Sequence, residues 1–371
     1  MTSVNIREQS VAGLRWLVVS GEREAAFRAL GEHTRENIVA VQNSMPERED
    51  LRRFTTTGGG RHTLAAVVEA TAREYPEQLA ELRALAEGAG VDYQSILLAN
   101  LRGDVGVDDG TGCTDMAWHR KSSFVAHNED GAPALLGHFM LLTLEIDGQQ
   151  PVTAQWYPGF SPANAFVANA AGLIWGINHI QVAGPIYAPG RHFIARALQQ
   201  CTSFEGAIDY LRTHPSAGGF AYTIGESGTG RSATVETVAG RVAVRSATEE
   251  SPLQWHTNHV RFLPCPPDMP TASGDGAATG KLGQYSESMA RGKVLEGLST
   301  PAAEPDAAWF QTILSSEPVP CGVHRTAAGN DPLMTLCTTV ADLTRERLHI
   351  RGADGATAEI ALPAFARGEL S

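Results

Sequence analysis

Nowhere in the 371-residue chain do about 18 apolar residues run together, which removes a membrane-spanning helix. Blocks of Lys and Arg are missing too. With a net charge of −12, nothing offsets phosphate charge, so a nucleic-acid partner is excluded. That sign suits a cationic substrate such as an amine, although an acidic surface is ordinarily just a solvated one. The five cysteines, Cys113, Cys201, Cys265, Cys321 and Cys337, are odd in number and widely spaced. No pair has CxxC spacing, so neither a zinc ribbon nor a thioredoxin-type site is expected, and free thiols in a reducing cytoplasm fit best. Met1–Gln9 is polar, and Val11–Ser20 is too short and mixed for a secretory core. A Walker A sequence is absent. Gly225-Glu226-Ser227-Gly228-Thr229 lacks the last glycine of a nucleophile elbow, and Gly274-Asp275-Gly276 has no third glycine in register. Nucleotide binding, serine hydrolysis and a bound cofactor therefore drop out.

What remains is a globular composition, 43% hydrophobic and 19% charged, long enough for an ample core. Leu14–Val19 reads as a strand and Gly21–Gln42 as a long helix. Thr55–Gly60 reads as a flexible break, and helices follow at His62–Tyr75, Pro76–Glu87 and Tyr93–Leu101. Pro76 suits a first helical turn and Gly88-Ala89-Gly90 a stop. Residues 1–112 are thus expected to be mainly helical, ending in an acidic, glycine-rich loop. Beyond Cys113 the pattern turns strand-rich. Strands are expected at Thr114–Trp118, Ser123–His127, His138–Ile146 and Val152–Tyr157, with a hairpin at Ala165–Asn169 and Leu173–Asn178. Helices at Arg191–Gln200 and from a capping box at Thr202 precede strands at Phe220–Gly225, Arg231–Val238, Arg241–Arg245 and Gln254–Thr257. Pro264–Gly280 reads as a surface loop. Helices at Lys281–Leu298 and Ala307–Ser315 lead to strands at Met334–Val340 and Leu348–Arg351. Two sheets with helices packed outside are expected, not alternating βαβ units.

The change of character falls at Gly110-Thr111-Gly112-Cys113-Thr114-Asp115. Were the Gly112–Cys113 bond cut, Cys113 would carry a thiol and a free α-amine together. Such an amine has a pKa of about 7.7 to 8.0 and serves as a base near neutrality. Nucleophile and base would then come from one residue. An ordinary Gly-Cys turn is the competing reading.

Three further groups bear on it. His256-Thr257-Asn258-His259 has two histidines three apart, but no further ligand stands at metal spacing, so no metal is expected. Asn258 at a strand end is suited to donate to an oxyanion; a satisfied loop asparagine is the alternative. Asp130, in His127-Asn128-Glu129-Asp130-Gly131, is placed to hold an α-ammonium on Cys113, or simply makes an Asp-Gly turn. Arg325 is suited to lower a thiol pKa or steady an oxyanion, or lies on the surface.

In order and spacing these pieces resemble the penicillin (isopenicillin N) acyltransferase family of N-terminal-nucleophile hydrolases. The resemblance rests on Gly112-Cys113-Thr114, Asn128-x-Asp130, the hairpin Asn169-Ala170-Ala171-Gly172-Leu173 ending in Asn178, Arg191–Arg196, the His256–His259 tetrad and Arg325. It covers nearly the whole chain. It implies an α+β fold, an αββα four-layer sandwich, in one intertwined domain. Segment 1–112 would become the α-subunit and 113–371 the catalytic β-subunit after self-cleavage. Carried over by position, Cys113 is the nucleophile, Asp130 orients the new amine, Asn258 donates to the oxyanion and Arg325 assists. The implied activity is a self-processing amidase acting on a small acyl-amine through a Cys113 thioester. The alternatives are an acyltransferase using an amide or acyl-thioester donor, with coenzyme A only as part of a substrate, and an uncleaved binding protein. Partners are then a small amide or amine and the chain's own N-terminal segment; self-association into a homo-oligomer is compatible. Two positions depart from the pattern: Glu129 stands where an aromatic is common, and Asp115 where a threonine is.

Overall fold

The computed structural model describes residues 3–106, 112–182, 184–264, 283–301, 303–329 and 331–371. Residues 265–280, most of the expected surface loop and including Cys265, lie outside the described residues. The chain opens with β1 (Asn5–Val11) and β2 (Leu14–Gly21), then α1 (Arg23–His33), α2 (Arg35–Asn43), α3 (Arg48–Thr56), α4 (Gly58–Glu74), α5 (Pro76–Ala89) and α6 (Tyr93–Asn100). Next come β3 (Cys113–His119), β4 (Ser123–Gly131), β5 (Met140–Ile146), β6 (Val152–Trp156), β7 (Val167–Asn169) and β8 (Leu173–Ile180). Helices α7 (Arg191–Leu198) and α8 (Phe204–Thr213) precede β9 (Gly219–Glu226), β10 (Ser232–Val238), β11 (Arg241–Ser246) and β12 (Leu253–His256). The chain closes with α9 (Gly283–Glu296), α10 (Ala307–Ser315), β13 (Met334–Asp342), β14 (Arg347–Gly352), β15 (Thr357–Ala361) and α11 (Leu362–Ala366).

Among the described residues the strands form a nine-stranded sheet, β1-β2-β5-β6-β7-β8-β9-β10-β11, and a six-stranded sheet, β12-β3-β4-β13-β14-β15. Three apolar clusters set the layers. Alternate residues of one strand serve two of them, because successive side chains point to opposite faces. In β2, Leu17 and Val19 join Phe27, Leu85 and Phe193 from helices outside the large sheet, while Trp16 and Val18 face inward. Between the sheets, Trp16, Leu141 and Ile174 meet Val125, Leu348 and Ile350. On the far side, Met116, Trp118 and Phe124 pack against Leu295, Phe310 and Leu314 of α9 and α10. Helices, sheet, sheet, helices: the expected αββα order is present.

Local differences have local causes. The long helix expected at Gly21–Gln42 breaks at Thr34, whose Oγ1 donates back to the Leu30 carbonyl at 2.7 Å. The glycines of Thr55–Gly60 do not form a loose break. Thr57 caps α4, its Oγ1 accepting from the Gly60 N–H at 2.9 Å, so Gly58–Gly60 become a first helical turn. The capping residue of α8 is Ser203 rather than Thr202. Gly90 ends α5 at φ +65°, as a left-handed glycine stop does. Strand β1 carries no apolar alternation of its own; it is a mostly exposed edge that pairs antiparallel with β2. Asp130 is not in a turn, since β4 runs on through Gly131. No helix among the described residues is long and apolar enough to cross a membrane.

Candidate active site

Cys113 is the first residue of β3, buried at the edge of a cavity of about 130 Å³. The cavity lies between the Val41–Glu47 region of the N-terminal segment and the ends of both sheets, and Gly112, Glu129, Asp130 and Tyr157 also line it. Gly112 is packed tightly. A Cβ there would meet Leu333 Cδ1 at 2.6 Å, Asp130 Cβ at 2.8 Å and Arg325 Nη1 at 2.9 Å. The junction of 112 with 113 thus sits between Asp130 and Arg325.

Antiparallel register builds the rest. Strands β3 and β4 pair Cys113 with Glu129 and Asp115 with His127. Residues two apart share a face, so these four side chains form one polar ladder, continued by Ala117 and Val125 into the apolar inter-sheet core. Cys113 Sγ lies 3.7 Å from Glu129 Oε2. His127 bridges two carboxylates, Nε2 to Glu129 Oε2 at 2.8 Å and Nδ1 to Asp115 Oδ1 at 2.7 Å. Tyr157 Oη donates to Glu129 Oε1 at 2.5 Å. The facing strand leaves room only because Gly176 has no side chain; a Cβ there would stand 2.1 Å from Asp115 Oδ1.

Burial sets the protons. It would push the His127 imidazolium down, but Asp115 and Glu129 outweigh it and raise the pKa to about 10. Burial raises Glu129, only partly offset by His127 and Tyr157. The Cys113 thiol is pushed well up, first by burial and then by the Glu129 and Asp130 charges. While Cys113 remains in peptide linkage, its thiol therefore holds its proton at neutral pH. Cys113, His127 and Glu129 donor atoms lie within 4.8 Å of one another, a spacing that could cage a metal. Both ring nitrogens of His127 are already engaged by carboxylates, Nε2 by Glu129 at 2.8 Å and Nδ1 by Asp115 at 2.7 Å, so neither is turned to a shared centre with Sγ.

A second set of contacts fixes the Cys113 backbone. Asn258, just after β12, accepts from the Cys113 N–H at 3.2 Å through Oδ1, and its Nδ2 donates to the His179 carbonyl at 3.1 Å. In this state Asn258 accepts from Cys113 through Oδ1. Arg291 causes this orientation, because its Nη2 also donates to Asn258 Oδ1 at 2.8 Å. Arg291 is fully buried, with Nη1 on the Cys113 carbonyl and, at 2.9 Å, on Thr114 Oγ1. Burial lowers its pKa to about 10.

Asp130 Oδ1 accepts from Thr335 Oγ1 at 2.7 Å, while Oδ2 is buried without a hydrogen-bond partner among the described residues. Burial raises its pKa, against the pull of Arg325 and Arg291. Arg325 is buried, not a surface cation, and pairs with Glu287 at 2.6 Å and with Asp331. The two tetrad histidines diverge: His256 Nε2 goes to Glu236 at 3.1 Å and His259 Nδ1 to Ser288 Oγ at 2.8 Å.

Cys113, Asp130, Asn258 and Arg325 are thus brought around one junction. Sequence reasoning passed over Glu129, His127, Asp115, Tyr157 and Arg291. A signal existed for the first three, since the polar run His127-Asn128-Glu129-Asp130 and the pair Thr114-Asp115 fall in otherwise apolar strands. Arg291 carried none, as a lone arginine in a helix ordinarily faces solvent.

The sequence pattern described as acyl-coenzyme A:6-aminopenicillanic acid acyl-transferase matches residues 118–356, well over half of the chain. That span holds Asp130, Asn258 and Arg325 and begins beyond Cys113. The beta-alanyl-dopamine/carcinine hydrolase of Drosophila melanogaster is 24% identical over 161 residues, 37% of this chain and 41% of that protein. The chain thus spans about two-fifths of the length of that relative. A variant of the conjugated bile acid hydrolase from Clostridium perfringens superposes with a TM-score of 0.40 at 13% identity, over 67% of this chain and 92% of the other. Penicillin V acylase from Agrobacterium tumefaciens gives 0.38 at 14% identity, over 67% and 86%. On the extent of the sequence match, the chain belongs to the acyl-coenzyme A:6-aminopenicillanic acid acyl-transferase family.

Proposed function

We propose that this protein is a self-processing cysteine amidase whose nucleophile is Cys113. The observation that carries the reading is the setting of the Gly112–Cys113 bond. The thiol opens to a cavity, the Cys113 N–H rests on Asn258, and Asp130 and Arg325 flank Gly112. Family membership supports chemistry on acyl–nitrogen bonds.

Cleavage would free the Cys113 amine, held by Asn258 Oδ1 and facing the charge of Asp130. That amine takes the thiol proton, and the thiolate attacks a substrate amide carbon. The C–N bond then breaks, the departing amine taking a proton from the α-ammonium, and a thioester remains on Sγ. Water, deprotonated by the same amine, hydrolyses it to acid and restores the thiol. Arg325, beside Gly112, and Arg291, on the Cys113 carbonyl, are the two buried cations that could steady the oxyanion.

The chain's first substrate is then its own Gly112, and the tightness there suggests the acyl group. An acyl carbon bonded to an unbranched neighbour fits where a Cβ meets Asp130, Leu333 and Arg325 within 3 Å. The curated relative is named for hydrolysing β-alanyl compounds, whose acyl group is unbranched there. Unbranched acyl amides should therefore turn over at least about tenfold faster than α-methyl analogues, as about 1–3 kcal/mol of clash predicts. Acyl transfer to an amine is the second reading, favoured by the family description.

Intact mass is the first test. Two fragments meeting at Gly112/Cys113, absent in Cys113→Ala, are expected; a wild-type chain that stays whole overturns the reading. Cleaved protein is next given an acyl amide with and without an amine acceptor. Free acid should dominate, and acylated amine forming faster would replace hydrolysis with transfer.

A further inference from the structure

Self-cleavage meets a difficulty that the mature mechanism does not. Before the Gly112–Cys113 bond is cut, Cys113 has no α-amine, and its nitrogen is an amide donating to Asn258. Some other group must take the thiol proton. Burial and two nearby carboxylates hold that proton firmly, so a weak exposed acceptor will not serve.

We propose that Glu129 is the general base of the first cleavage, held for that task by His127, Asp115 and Tyr157. This rests on the self-processing reading above. Among the described residues, Glu129 Oε2 is the side-chain acceptor on Sγ, at 3.7 Å. Neither carboxylate oxygen of Asp130 is hydrogen-bonded to Sγ, Oδ1 being turned to Thr335 and Oδ2 meeting no donor among the described residues, and the Asn258 carbonyl oxygen is occupied by the Cys113 N–H and Arg291. Glu129 is pinned on both oxygens, by His127 Nε2 at 2.8 Å and Tyr157 Oη at 2.5 Å, so its rotamer is set before reaction. His127 is itself pinned by Asp115.

The step balances as follows. The S–H proton passes to Glu129 Oε2 as sulfur bonds to the Gly112 carbonyl carbon, giving a five-membered ring with an oxyanion. The C–N bond then breaks, and the Cys113 nitrogen takes the proton back from Glu129 and becomes an amine. Gly112 is left as a thioester on Sγ. Water attacks that thioester, releasing the Gly112 carboxylate and restoring the thiol. From then on the amine stands nearer the thiol than any side chain does, and Glu129 passes from base to cavity wall. The two cleavages, of self and of substrate, would thus use different bases.

Groups that face Glu129 also enter its pH response. They are Cys113 and Asp115 on β3, His127 and Asp130 on β4, Cys337 opposite it on β13, and Tyr157 beyond β6. Arg102, at the cavity wall, acts on Tyr157 in turn.

The test is cell-free synthesis of the full chain followed by intact mass over time, at several pH values. Glu129→Gln should slow the appearance of fragments by at least about 100-fold, the usual worth of a general base. Its residual rate should climb about tenfold per pH unit as hydroxide takes over, whereas the wild-type rate levels off. Glu129→Asp keeps a carboxylate one methylene short. It should fall between the two and keep the wild-type pH shape, which a purely structural role would not produce. Each variant is also melted to show that it folds. If Glu129→Gln does not fold, Glu129→Asp alone decides by its pH shape. Wild type and Glu129→Gln cleaving at equal rates would overturn this inference and leave self-processing intact. A wild-type chain that never cleaves overturns both.

Discussion

Glu129 and Glu236 are each buried against a histidine, and their pKa values move in opposite directions. Glu236 accepts from His256 at 3.1 Å and from three successive backbone N–H groups, Arg261 at 2.6 Å, Phe262 at 3.1 Å and Leu263 at 2.9 Å. Burial would raise its pKa, but these donors outweigh it and the group titrates below its ordinary value. Glu129 receives only side-chain donors, His127, Tyr157 and the Cys113 thiol, and there burial wins. Backbone N–H groups cannot give up their protons, so a carboxylate satisfied by them is a fixed anion. Here it fastens the segment that follows β12 and carries Asn258. A carboxylate satisfied by groups that can trade protons is suited to transfer one.

The comparison can be broken in graded ways. The largest effect should come from the thiol that faces only one of the two glutamates: Cys113→Ala should yield no fragments at any time by intact mass, yet fold normally. Next come the histidines. His127 is raised to about 10, so its contribution is fully present below its ordinary pKa near 6.5 and is lost as pH rises toward about 10. Raised Glu129 adds a cost that grows above its ordinary carboxylate range, in the same direction. In the Cys113→Ala chain, urea melts should therefore lose on the order of a few kcal/mol between pH 6.5 and 10. His127→Gln should flatten that decline; an unchanged slope would detach it from this cluster.

Glu236 has the opposite sign. Its lowered pKa gives stability above its ordinary range that is lost as pH falls through the folded value. Glu236→Gln sets an amide N–H against backbone N–H donors. It should cost about 1–3 kcal/mol in the urea midpoint and remove part of the acid limb. Its cleavage rate should drop less than that of Glu129→Gln. A Glu236→Gln chain of wild-type stability but blocked cleavage would reverse the assignment of clamp and base. The smallest expected effect is the roughly tenfold preference for unbranched acyl groups, read from initial rates on paired amides.

Much of the framework was legible in the chain. Strand β2, helices α5 and α6, the β7–β8 hairpin and the change of character at Cys113 follow from periodicity, Pro76, Gly90 and Gly172. Those signals act over a few residues, which is why they can be read. Edge strand β1 could not be, because its exposed faces need no alternation. The break at Thr34 depended on one hydroxyl choosing the Leu30 carbonyl.

The order Cys113, Asp130, Asn258, Arg325 was likewise present in the sequence, and it determined which residues would be candidates. Only the tertiary structure decided what each of them meets. Register across β3 and β4 set Glu129 beside Cys113 and His127 beside Asp115; a one-residue slip would have turned all four to the other face. Helix α9 brought Arg291 in from a distant part of the chain and turned Asn258 into an acceptor for the Cys113 N–H. Local sequence encodes which way a side chain points along its own element. Which groups it meets, and so how tightly it holds a proton, depends on the elements that pack against it.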